Sequence, residues 1–151
     1  MKIRTDYVTN SSSSSFILGF KDTEEIAEIV NSKLPSYWSE NAIQSVISDI
    51  EGGITSHEEA IKLYKDSIYC WDWKLNGKSY WDMTREERQS QEWVEFEKEK
   101  KNELSRSLAN EVNKYDIISI VEYEDHTTFG SELEHNIMPC LDCTIRRISH
   151  H

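Results

Sequence analysis

Asp116-Ile117-Ile118-Ser119-Ile120-Val121-Glu122-Tyr123-Glu124 is rich in β-branched residues and holds no glycine or proline. That composition suits a pleated, half-buried strand better than a helix. It decides the fold class because the segments before it carry helical periodicity. Asp22-Thr23-Glu24-Glu25 offers an N-cap with an acid three residues on, and Ile26, Ile29, Val30 and Leu34 follow at helical spacing until Pro35. A second helix is predicted from Ser39, with Ile43, Val46, Ile47 and Ile50 on one face and Gly52-Gly53 as its stop. A third opens on Ser56-His57-Glu58-Glu59 and runs through Ala60, Ile61, Tyr64 and Ile68. Thr84-Arg85-Glu86-Glu87 launches the longest, over 84–113, with Trp93, Phe96, Leu104, Leu108 and Val112 recurring along it and expected to pack on a sheet.

Strands complete the picture. Ile3, Thr5 and Tyr7 alternate, as do Phe16, Leu18 and Phe20, on either side of a polar linker. Tyr69 to Leu75 meets Lys78 to Trp81 across Asn76-Gly77, a type I′ hairpin signal, and Cys143 to Ser149 is a further candidate strand. The expected architecture is α+β: one domain over 1–151, with a small, mostly antiparallel sheet from the N-terminal strands, the aromatic hairpin and the C-terminal strands, covered by about four helices.

The net charge of -11 is unevenly placed. Residues 84–114 balance acids with bases. Residues 34–61 carry Glu40, Asp49, Glu51, Glu58 and Glu59 with no Lys or Arg, and residues 115–145 carry Asp116, Glu122, Glu124, Asp125, Glu132, Glu134 and Asp142, again with none. Such surfaces repel phosphate backbones and anionic lipid, which argues against direct nucleic-acid or membrane binding and for a basic protein partner. No apolar run resembles a secretory signal or a membrane span, and three cysteines are not a disulfide framework, so the cytoplasm is the expected compartment.

Met1-Lys2-Ile3-Arg4 with Val8-Thr9-Asn10-Ser11-Ser12-Ser13-Ser14-Ser15-Phe16 resembles the opening of a loose group of small, uncharacterised bacterial and phage proteins with an N-terminal polyserine motif. The resemblance covers about sixteen residues and carries no activity to transfer. It gives a phage-type setting in which an acidic protein inhibits a nucleic-acid-handling or defence protein by charge mimicry. Ser11, Ser12, Ser13, Ser14 and Ser15 are candidate modification or processing sites, against the plainer reading of a polar linker. No Gly-x-Ser-x-Gly elbow or phosphate-binding glycine loop frames them.

Metal chemistry is suggested by His135, Cys140 and Cys143, with His126 as a further ligand. Cys-x-x-Cys is a common zinc half-site, weighed against two buried thiols beside a turn. His57, Glu59, Cys140 and Cys143 also resemble, in part, the signature of zinc-dependent deaminases, although Thr144 to Ile148 reads as strand where that family requires a helix. Residues 125–139, with His126, Glu132, Glu134 and His135, are expected to form a solvated acidic loop. An antiparallel hairpin of 117–124 with 143–149 would set His126 and His135 about 20 Å from His150 and His151. Trp71, Trp73, Tyr80 and Trp81 are read mainly as packing beneath the long helix.

Overall fold

The serine run does not end where the sheet begins: Ser13, Ser14 and Ser15 form the first turn of the pleat of β1 (Ser13–Phe20). The fold is that of a computed structural model describing residues 13–150, His150 by its backbone alone. The expected strand at Ile3, Thr5 and Tyr7, together with Ser11, Ser12 and His151, lies outside the described residues. The order continues with α1 (Thr23–Lys33), α2 (Glu40–Gly52), β2 (Ile54–Thr55), α3 (His57–Ser67), β3 (Lys74–Leu75), β4 (Lys78–Ser79), α4 (Arg85–Arg88), α5 (Gln91–Val112), β5 (Ile117–Glu124), α6 (Thr128–Glu132) and β6 (Thr144–His150). The protein is α+β. No helix among the described residues is long and apolar enough to cross a membrane. The described residues fall into two compact units, one up to Ala60 and from Glu111 onward, the other Ile61–Asn110.

In the first unit the sheet order is β2-β5-β1-β6, every neighbouring pair antiparallel. β1 lies inside it because Phe16, Ile17, Leu18 and Phe20 are all wholly buried, so both of its faces are apolar. Phe16, Leu18 and Phe20 join Ile26 and Val30 of α1, Val46, Ile47 and Ile50 of α2, and Val121 of β5 in the main core. The caps hold: Asp22 accepts from the Glu25 amide at 2.9 Å and Ser39 from the Ala42 amide at 3.2 Å.

Two expectations change here. β5 and β6 are not paired with each other; each pairs with β1, Ser13 standing opposite both Glu124 and His150. The backbone of His150 therefore lies at the same end of the sheet as the end of β5, which removes the expected separation of about 20 Å. The segment after β5 is helical, not a loop: α6 is followed by a π-helical turn (Leu133–Ile137) and a 3₁₀ turn (Met138–Cys140). Leu133, Ile137, Met138 and Leu141 point into the core, and their burial overrides the acidic composition that suggested a loop.

In the second unit the hairpin turns at Asn76-Gly77, both at positive φ (55° and 83°), as a type I′ turn requires. Its arms are two residues each, and it forms its own two-stranded sheet, separate from the four-stranded one. Asp82 accepts from the Ser79 amide (3.3 Å) and hydroxyl (2.9 Å), which bends Tyr80–Asp82 into a 3₁₀ turn and ends the ladder. Cys70, Met83 and Trp93 form a local core with Trp73, Leu75, Tyr80 and Phe96. The predicted helix over 84–113 is two helices. The Thr84–Glu87 capping box starts α4, and Ser90 then accepts from the Trp93 amide at 3.2 Å as the cap of α5.

Candidate functional site

An open groove of about 570 Å³ lies in the first unit between α2, the end of β5 and the segment 126–133. Its position follows from local chemistry. Ser39 starts α2 so that Ala42, Val46 and Asp49 share the face turned to the groove. Thr127 caps α6 by accepting from the Gly130 amide at 2.9 Å. A Cβ on Gly130 would collide with the Glu124 carbonyl oxygen, so glycine is what lets α6 sit against the end of β5. This brings Phe129 edge-on to Trp38, ring centroids 4.8 Å apart.

The floor is apolar, from Trp38, Val46, Phe129 and Leu133, and the rim is acidic, from Asp49, Glu122 and Glu124. The described lining residues include no Lys or Arg. Tyr123 donates to Asp49 Oδ2 at 3.1 Å, and burial, reinforced by the Asp49 charge, pushes its phenol well above the ordinary value. It therefore stays a neutral donor. His126 Nδ1 lies 2.8 Å from Glu124 Oε2, and Ser15 donates to Glu122 Oε2 at 3.3 Å.

Beside the end of β5 is a second cluster, built around a carboxylate with no solvent exposure. Glu134, in the π-helical turn, accepts from Ser14 Oγ at 2.9 Å through Oε1, and Arg147 Nη2 lies 3.6 Å from the same oxygen. Arg147 Nε donates to Ser14 Oγ at 3.1 Å. The other oxygen, Oε2, faces His135 Nε2 at 3.5 Å, and that nitrogen lies 3.8 Å from Asp125 Oδ2. Burying Glu134 is tolerable only because a cation and donors surround it; an isolated buried carboxylate would be protonated or expelled.

The expected sites are redistributed. Asp49, Glu51, Glu58, Glu59, Glu122, Glu124 and Asp142 are exposed, Asp125 and Glu132 are half-buried, and Glu134 is buried, which corrects its place on an acidic surface. Ser14 and Ser15 are buried in β1, which corrects the linker reading and closes both hydroxyls to a modifying enzyme in the folded chain. Of the suggested metal ligands, His135 joins Asp125 and Glu134 in the one group of three ligating side chains found among the described residues. Cys143 lies in the main core, where burial pushes its thiol up to about 12; Cys140 is exposed. His57 Nε2 lies 2.6 Å from the Tyr115 carbonyl and acts there as donor, within the first unit.

Trp73 and Tyr80 are core residues of the second unit, whereas Trp71 and Trp81 are exposed and lie 5.5 Å apart. Sequence reasoning missed Trp38, Phe129 and Arg147, and singled out Ser14 as a modification site, not as a partner of Glu134. None has a local signature, since each matters through a neighbour many residues away. No family model matches the sequence, and comparisons with curated proteins and with solved structures return no match.

Proposed function

We propose that the protein is an interaction module whose groove binds a basic segment of a partner protein. The observation that carries this reading is the pairing of an apolar floor, Trp38, Val46 and Phe129, with a rim of Asp49, Glu122 and Glu124 and no Lys or Arg among the described lining residues. A lysine or arginine side chain meets both demands: its stem covers the aromatic floor and its charged head reaches the carboxylates. A nucleic acid or an anionic lipid fails the second demand, because its phosphates would face the rim carboxylates. The phage-like opening adds the proposal that the partner handles nucleic acid or serves defence, its basic site being covered when bound.

Calorimetric titration with a peptide of alternating lysine and leucine tests this reading. Wild type should bind it, with an affinity that falls as salt shortens the Debye length to about 10 Å at 0.1 M. The D49N/E122Q/E124Q variant should bind at least about tenfold more weakly, equivalent to ~1.4 kcal/mol. Binding insensitive to salt, or unchanged in that variant, would remove the reading.

A further inference from the structure

The groove does not account for the cluster at Asp125, Glu134 and His135. We infer that these three side chains form a binding site for a single divalent ion of the zinc class, with water completing its coordination. One ligand atom from each lies within 4.8 Å of the other two. His135 Nε2 stands 3.5 Å from Glu134 Oε2 and 3.8 Å from Asp125 Oδ2. Bonds of about 2.0–2.2 Å in a tetrahedral site separate ligand atoms by roughly 3.3–3.6 Å, so a small inward movement of the His135 and Asp125 side chains closes the set. Octahedral magnesium would require about 2.9 Å, and neither magnesium nor calcium favours an imidazole.

The surroundings suit a ligand set. Glu134 Oε1 is held by Ser14 and Arg147, which fixes the carboxylate plane and turns Oε2 toward His135 and Asp125. Outer partners of this kind orient ligands in metal sites. Asp125 and Glu134 offer one oxygen each and His135 a nitrogen, a mixed donor set that suits a divalent ion of this class.

The placement also gives the ion a structural role. Asp125 directly precedes, and Glu134 and His135 directly follow, the segment 126–133 that forms one wall of the groove. An ion bridging them would clamp that segment at both ends. This ligand set is not the cysteine-based one suggested by Cys-x-x-Cys: Cys143 is packed in the core.

The test uses the full chain stripped with chelator and titrated with Zn²⁺ alone, then with Co²⁺ followed by absorption. One ion per chain should bind saturably and raise the melting temperature, and the Co²⁺ form should show d–d bands without thiolate charge transfer. His135→Ala and Asp125→Asn, at side chains 43% and 26% exposed, should keep the fold by circular dichroism and weaken Zn²⁺ binding at least tenfold. Cys140→Ser should bind as wild type. The site is overturned if wild type binds no ion saturably, if thiolate charge transfer appears, or if H135A and D125N both bind as wild type. It is equally overturned if replacing His150 and His151 alone abolishes binding. None of these readouts involves the lysine–leucine peptide, so the groove reading stands or falls separately.

Discussion

At the scale of single residues, burial rather than identity decides which groups can react. Cys140 and Cys143 are three apart in sequence, yet one is exposed and the other sits in the main core. Burial is the leading cause of the rise in the Cys143 thiol to about 12, and burial followed by the Glu97 charge raises that of Cys70. Alkylation of the native chain near pH 8 should therefore modify Cys140 alone, with Cys70 and Cys143 reacting only in denaturant; peptide mass mapping reads the result. The same shift has a stability consequence. The folded Cys143 keeps a proton that the unfolded chain releases above its ordinary value of 9.0, so its contribution is complete below about pH 9 and lost as pH rises toward 12. Glu134 makes the converse point. Its letter in the sequence is that of a surface acid, and its burial is made tolerable by partners such as Ser14, 120 residues away along the chain, and Arg147.

At the scale of elements, α6 decides whether the groove exists. It is five residues long, too short to be stable alone, and is held by the Thr127 cap and by backbone packing of Gly130 on the end of β5. Gly130→Ala should push α6 off Glu124, cost about 1–3 kcal/mol in urea unfolding, and weaken peptide binding, because Phe129 would leave Trp38. A substitution equally small on the exposed face of α5 should change neither. The elements most legible in sequence were those with capping signals: Asp22, Ser39, Ser56 and Thr84 each accept the expected amide hydrogen bond. The apolar spacing continues past Ser90, which hides its role as a cap and with it the break between α4 and α5. β2 was too short to leave a periodic trace and exists through its pairing with Ile118 and Ser119.

For the molecule as a whole, a net charge of -11 sets two effects of salt against each other. Screening relieves repulsion among crowded carboxylates and should raise the melting temperature between low and moderate ionic strength. The same screening should weaken peptide binding over the same range, so stability and affinity should move in opposite directions in parallel titrations. The sequence by itself determined the α+β class, the three amphipathic helices before the hairpin, the Asn76-Gly77 turn and the two base-free acidic stretches, because periodicity, capping and charge are local properties. Only the tertiary structure decided that β1 lies between β5 and β6, that Ser14 and Glu134 are interior partners, and that Trp38 and Phe129 meet above the acidic end of β5. These depend on pairings across up to 137 residues, from Ser13 to His150, and strand order is set by which faces can be buried together, a property of the whole chain.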